Sequence, residues 1–263
     1  MIDKDLGILA GGVLEGRRIF SNTMKYVLMS TSSNFGNMFS AAGGSLLFNF
    51  LPMTPTQILL NNLLYDTGEM TIPTDHVDAE LLERPAQWDI RLIRRFMILF
   101  GPISSIFDFV TFAVMLFAFH AQGSLFQTAW FTESLGTQSL VIFAIRTRRV
   151  PFFRSRPSLA LSMGTLGSVA VGLALPFSPI GRVFGFTPLP AVFLAVLGFM
   201  VVVYLAIVEI GKKVFFDRLP SRPHLPVGRF ELAPALQTVE RFASRWSTGR
   251  RPTLKSPKEQ RAR

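Results

Sequence analysis

The sequence predicts an all-α fold, a polytopic membrane helix bundle with six transmembrane helices and both termini in the cytoplasm. Of its 263 residues, 49% are hydrophobic and only 17% are charged, whereas a soluble domain carries about 25% charged residues. The hydrophobic residues come in long blocks that include 26 Phe, as in helices that are apolar all round. The distribution of basic residues sets the orientation.

Six stretches qualify as spans, because a helix needs about 20 mostly apolar residues to cross a bilayer. The second and fourth are short and polar, so their support comes from the flanking loops. In chain order the six are Tyr26–Phe50, Gln57–Ile72, Phe96–Phe119, Ala129–Ile145, Leu159–Phe177 and Pro190–Ile210.

Basic residues avoid one side of this arrangement. The loops Leu51–Thr56 and His120–Thr128 contain no Lys or Arg, and Arg182 alone of the 27 basic residues lies in the loop between spans five and six. Cytoplasmic loops are enriched in Lys and Arg. The pattern therefore predicts a multi-pass membrane protein with both termini cytoplasmic.

The same reasoning divides the chain into three parts. We expect a cytoplasmic stalk over residues 1–25, a transmembrane domain over 26–211, and a largely disordered basic cytoplasmic tail over 212–263. The tail could be solvated, lie on anionic lipid or contact nucleic acid, and an amphipathic helix could form over Leu232–Trp246. The net charge of +10 follows membrane topology, so we expect lipid and no nucleic acid as partner.

Four polar residues in apolar sequence form the candidate ion site: Asn34, Asn37, Asn62 and Asp66. The first two are spaced i, i+3 and share a helix face, as do the last two at i, i+4. Polar and ionisable residues at membrane depth are costly and mark ion paths by default. The alternative is that the amides only bond one helix to another.

The donors in this set are hard oxygens, which suit Mg²⁺ or Ca²⁺. With a single carboxylate, a small divalent cation that keeps several waters fits best. Gly36 predicts close approach of another helix, and Thr67–Gly68 predicts a place where the second span unwinds and frees carbonyls as ligands. Cys is absent, so thiolate sites are excluded.

Other polar residues in the spans have separate predicted roles. Asp108 is either a structural hydrogen-bond anchor or a transport or proton-linked group, and the same alternatives hold for Glu133 and Gln138. Glu69 is expected at the cytoplasmic mouth and Tyr65 in packing. Two further expectations are an interfacial ion pair of Glu209 with Lys212 or Lys213 and a topology anchor at Arg146–Arg149.

Seven segments appear in order that together resemble the C-terminal third of bacterial magnesium-transporting P-type ATPases. The resemblance covers about Asp3 to Leu219. The segments read DKDLGILAGGVLEGRR, SSNFGN, NNLLYD, ERPAQWD, FGPISSIFD, IRTRRVPF and LPFSP.

This resemblance implies that the six spans are transmembrane segments five to ten of ten. It implies that Asn34, Asn37, Asn62 and Asp66 line the ion site, with Mg²⁺ as the transported ion. In calcium pumps of this kind the position of Asn37 is a glutamate, so the amide implies a less charged site for one Mg²⁺.

The sequence departs from the family in lacking the phosphorylation loop, the actuator motif, the nucleotide-binding domain and the fourth family helix. Phosphoryl transfer needs a positioned nucleophile and a phosphate cradle, so we expect no catalytic residue and no ATPase activity of the chain alone. ATP would act only through the missing domains.

Two functions follow as hypotheses. The first is the ion-translocating part of a Mg²⁺-importing P-type ATPase, a truncated or split gene product that needs a separate chain with the N-terminal part of the pump. The second is a non-enzymatic membrane protein that regulates a full-length pump or conducts cations passively.

Overall fold

A computed structural model describes residues 6–82, 87–147, 151 and 155–217. Within them the regular structure is helical, with one isolated bridge between Pro151 and Ser155. The helices are α1 Leu6–Leu47, α2 Pro55–Glu69, α3 Ala79–Leu82, α4 Ile90–Ala113, α5 Ser124–Ile145, α6 Leu159–Ala174, α7 Pro179–Val183 and α8 Ala191–Asp217.

Each of the six predicted spans overlaps one long helix: α1, α2, α4, α5, α6 or α8. Among the described residues, three helical stretches are long and apolar enough to cross a membrane: Ile90–Ala118, Leu159–Phe177 and Ala191–Phe216. The first includes a π-helical turn after α4 and the second a 3₁₀ turn after α6. Six crossings and cytoplasmic termini remain predictions.

Local sequence explains where α2 begins. Thr54 caps the helix by accepting a hydrogen bond from the backbone N–H of Gln57, whose side chain accepts one from the Thr54 N–H in return. This reciprocal pair satisfies two backbone donors that a helix start leaves open. Pro55 at the first helical position costs nothing there, because that N–H would have no partner within the helix.

Helix α5 lies at the centre of the bundle. Every residue from Thr128 to Ile145 except Leu140 is buried, and α5 contacts α1, α2, α4, α6 and α8. The outer helices instead expose apolar side chains such as Met163 and Phe199, as expected of surfaces that meet lipid. Polar residues of α5 therefore face other helices, which is why α5 is less apolar than α6 and α8.

The predicted domain boundaries fall inside helices. Helix α1 passes residue 25 without a break, and α8 continues beyond Lys212 to Asp217. The rest of the predicted tail, including Leu232–Trp246, lies outside the described residues.

Helices α1 and α4 cross closely at two glycines. A Cβ atom on Gly36 would lie 3.0 Å from the carbonyl oxygen of Gly101 and 3.2 Å from the Cβ atom of Ser104. The hydroxyl of Ser105 donates a 3.0 Å hydrogen bond to the Gly36 carbonyl oxygen. Small residues let membrane helices approach to this distance, so the expectation drawn from Gly36 is confirmed.

Candidate cation site

A cavity of about 400 Å³ opens between α1, α2 and α5. Three of the four predicted site residues line it, and Asp66 is not among the lining residues. The full lining consists of Asn34, Asn37, Met38, Ala41, Met53, Ile58, Asn61, Asn62, Trp130 and Ser134.

Asn37 is the most firmly held of these side chains. Its Oδ1 atom accepts hydrogen bonds from Gln138 Nε2 at 2.5 Å and from Ser134 Oγ at 3.3 Å. Gln138 also donates to Ser134 Oγ, and Asn61 Nδ2 donates to the same oxygen at 3.4 Å. This network ties α1 and α2 to α5 at the wall of the cavity.

The other predicted residues are more open. Asn34 is exposed and donates to Ser30 Oγ at 3.4 Å. Asn62 is half-buried, and Asp66, one helical turn further along α2, is exposed. The structure thus brings three amides together, while the carboxylate points away from the buried side of α2.

The buried face of α2 consists of Gln57, Asn61, Tyr65, Gly68 and Glu69. Asn61 therefore belongs to the cavity wall, and within the described residues its buried Oδ1 atom accepts no hydrogen bond. Sequence reasoning missed Asn61 and Ser134. The pair Asn61–Asn62 was visible in the sequence, but an apolar span does not reveal which of two adjacent residues faces inward.

The predicted unwinding at Thr67–Gly68 is wrong. Helix α2 continues to Glu69, and the Met70 N–H donates to the Asp66 carbonyl at 2.9 Å. Gly68 serves packing instead, since a Cβ there would lie 3.6 Å from the Cα of Thr165 on α6. The chain leaves the α-helix one turn later, in the 3₁₀ turn Ile72–Thr74.

Tyr65 and Glu69 form a buried pair on the inner side of α2. The Tyr65 hydroxyl donates to Glu69 Oε1 at 2.5 Å and lies 3.1 Å from Ser33 Oγ on α1. Glu69 is only 1% exposed. It is therefore not exposed to solvent, as it would be at the cytoplasmic mouth where we expected it. Tyr65 packs as predicted and in addition satisfies this carboxylate.

A network of charges holds the loop after α2 to its surroundings. Asp75 is completely buried and accepts hydrogen bonds from Lys25 Nζ at 3.0 Å and from Arg146 Nε and Nη2 at 2.8 and 3.0 Å. The backbone N–H of Ser158 adds another at 3.1 Å. Burial by itself raises the pKa of Asp75, but hydrogen bonds from Arg146 and the charges of Lys25 and Arg146 lower it below its usual range.

The cavity therefore offers neutral amide and hydroxyl oxygens, and those of Asn37 and Ser134 are held in place by hydrogen bonds. Among the described residues, no group of three or more His, Cys, Asp or Glu could hold a metal ion. Amide and hydroxyl oxygens are hard ligands suited to a hydrated divalent cation rather than to a soft metal.

The chain is similar to known cation-transporting proteins. The family model described as the C-terminus of cation transporting ATPases matches residues 50–214. A protein named magnesium-transporting ATPase, P-type 1, from Salmonella typhimurium strain LT2 is 43% identical over 222 residues, covering 83% of this chain and 24% of the relative.

The protein of the same name from Escherichia coli strain K12 is also 43% identical over 222 residues, covering 83% of this chain and 25% of the relative. A second Salmonella typhimurium LT2 protein of that name is 44% identical over 194 residues, covering 72% of this chain and 21% of the relative. The chain spans about a quarter of the length of the curated relatives it matches.

Proposed function

Since this chain belongs to the cation-transporting ATPase family, whose C-terminal region it matches, we propose that it forms the ion-translocating membrane part of a Mg²⁺-importing P-type ATPase. The cavity lined by Asn34, Asn37 and Asn62 is the observation that carries the proposal. Mg²⁺ dehydrates reluctantly and keeps several waters, so a few fixed amide oxygens suffice to bind it in a space of this size.

The individual residues have distinct roles in this proposal. Asn37 is fixed by Gln138 and Ser134, so it orients the hydrated ion with little loss of side-chain entropy. Asn34 and Asn62 contact the ion or its waters from the neighbouring walls. Asp66, one turn from Asn62, supplies the negative charge that attracts the cation to this part of the bundle.

Coupling to ATP is assigned to domains outside the matched segment, on this polypeptide or on a separate chain. Phosphoryl transfer needs a positioned nucleophile and a phosphate cradle, and the membrane helices provide neither. We place the protein in the bacterial inner membrane with both termini cytoplasmic, as the basic residues indicate.

Complementation tests the proposal. The 263-residue chain is expressed in a bacterial strain that lacks Mg²⁺ transport, alone and together with a chain that carries the ATP-hydrolysing domains. We expect growth at low Mg²⁺ only on co-expression, and loss of that growth in Asn37→Ala and Asp66→Ala. Asn49→Ala is the matched control, because Asn49 is exposed and lies outside the cavity.

The other outcomes contradict the proposal. Growth with the chain alone would indicate passive conduction of cations, and no growth in either case would indicate a relic or a regulatory protein. Full growth of both the Asn37 and Asp66 variants would show that this cavity is not on the ion path.

A further inference from the structure

A second polar cluster lies inside the bundle, where Asp108 of α4 meets Glu133 of α5. Both side chains are buried, 1% and 0% exposed, and their carboxyl groups lie within hydrogen-bonding reach of each other. Two ionised carboxylates in such contact repel, and neither has water to solvate it. The pair therefore needs a positive charge or a proton.

The hydrogen bonds around Asp108 identify it as the ionised member. Ser40 Oγ of α1 donates to Asp108 Oδ2 at 2.5 Å, and Trp130 Nε1 of α5 donates to Oδ1 at 2.8 Å. Each carboxylate oxygen thus accepts one hydrogen bond. Donors of this kind favour the charged form of a carboxyl group.

Glu133 has the opposite surroundings. By hydrogen-bond geometry, neither of its carboxyl oxygens accepts a hydrogen bond from the described residues, although the Thr137 hydroxyl lies nearby. The hydroxyl of Thr137, one turn further along α5, donates instead to the backbone carbonyls of Glu133 and Ser134, at 3.0 and 3.2 Å. A buried charge without hydrogen-bond donors is costly. A neutral carboxylic acid carries no charge and can donate a hydrogen bond to Asp108 through its O–H group.

The remaining helix around the pair adds no counter-charge. Tyr204 of α8 is buried close to both carboxyl groups and interacts with Ser104, and a tyrosine is neutral near pH 7. The ion pairs formed by the described Lys and Arg residues involve Glu15, Asp75 and Glu209 rather than Asp108 or Glu133. A proton is therefore the charge that these surroundings favour.

We propose that Asp108 and Glu133 form a proton-binding site within the membrane domain, in which Glu133 keeps the proton and donates a hydrogen bond to the Asp108 carboxylate. The site adjoins the cavity, because Trp130 both lines the cavity and donates to Asp108. The proton site does not depend on the function proposed for the cavity, so either can fail without the other.

Infrared spectroscopy of the purified full chain in lipid nanodiscs at pH 7 tests this proposal. A protonated carboxyl group gives a C=O stretching band that a carboxylate lacks. We expect the wild-type protein to show such a band and Glu133→Gln to lose the component that Glu133 contributes, since Asp108 then stays ionised among Ser40, Trp130 and the new amide. Asp108→Asn keeps the band at a shifted frequency, because the acid then faces an amide.

Glu69→Gln is the matched control. Glu69 is also a buried glutamate inside a predicted span, but it accepts a hydrogen bond from Tyr65. We expect Glu69→Gln to retain the part of the C=O band that Glu133→Gln removes. Absence of an acid band in the wild-type protein, or an undiminished band in Glu133→Gln, would overturn the proposal. If Glu133→Gln fails to fold, an unshifted band in Asp108→Asn overturns it equally.

Discussion

The guanidinium group of Arg146 donates two hydrogen bonds to the Asp75 carboxylate, at 2.8 and 3.0 Å, and the two side chains are 1% and 0% exposed. Two-point contact of this kind fixes both position and orientation. Because Lys25 of α1 binds the same carboxylate, one aspartate joins the long first helix, the loop after α2 and the end of α5. The position of α1 is thereby linked to that of the central helix.

Asp75→Asn should destabilise the protein strongly. The variant keeps the size of the side chain but leaves Arg146 and Lys25 buried without a counter-charge. Removing one partner of a buried ion pair costs about 3–5 kcal/mol, so we expect a melting temperature several degrees lower in detergent. Glu15→Gln is the control, since its side chain is 61% exposed and exposed ion pairs contribute about 0–1 kcal/mol. Equal melting temperatures for Asp75→Asn and the wild type would refute the prediction.

The stabilisation of the folded protein by Asp75 should persist at mildly acidic pH. Its pKa is depressed in the folded protein, so the stabilisation is present above the unfolded-state value of about 3.9 and disappears as pH falls through the folded-state pKa. The difference in melting temperature between wild type and Asp75→Asn should therefore stay constant from pH 7 to about pH 4.5 and shrink only below pH 4. A difference that vanishes between pH 7 and pH 5 would contradict this assignment.

Gly36→Leu should separate α1 from α4. A side chain at Gly36 meets the backbone of Gly101 and the Cβ atom of Ser104, neither of which can rotate away, and overpacking of this kind costs about 1–3 kcal/mol. Thermal unfolding and the yield of folded protein measure the effect. Gly198→Leu on α8 is the control, because a Cβ there meets nothing within 4 Å. A loss of stability equal in both variants would argue against a special crossing at Gly36.

Gln138→Leu should loosen the wall of the cavity. It removes the donor to Asn37 Oδ1 and Ser134 Oγ, and lost hydrogen bonds to buried partners cost about 1–3 kcal/mol. We expect a lower melting temperature together with weaker protection by Mg²⁺ against unfolding. Gln127→Leu provides the comparison, since Gln127 forms an exposed hydrogen bond to the Leu51 carbonyl. Unchanged protection by Mg²⁺ in Gln138→Leu would separate this network from ion binding.

Apolar blocks in the sequence located α4, α6 and α8, because burial and lipid contact both demand them, whereas α2 and α5 were located with the help of the flanking loops. Short-range relations were also visible: the predicted Glu209–Lys212 pair is confirmed at 2.6 Å. The sequence did not reveal the rotation of α2, which decides between Asn61 and Asn62 and turns Glu69 inward. Tertiary packing against α5 and α6 sets that rotation.

Asp75 could not be singled out for a similar reason. It lies in the loop segment PTDHVDAE with Asp78 and Glu80, and nothing in the local sequence distinguishes it from these two other acidic residues. Its partners Lys25 and Arg146 are 50 and 71 residues away in the chain. Arg146 was predicted to anchor the membrane topology, because a basic residue in a loop indicates the cytoplasmic side when no acidic partner is known.

The buried position of α5 has a consequence for biogenesis. A helix with Glu133 and Gln138 on faces that contact protein cannot rest alone among acyl chains, since each such group would be exposed to hydrocarbon. One of its main neighbours, α8, is synthesised some 50 residues later. Helices α1, α2 and α4 precede α5 in the chain and contact it, whereas the side that faces α8 stays uncovered until α8 is inserted. We therefore expect a chain that lacks α8 to be degraded faster in the membrane than the chain that contains it.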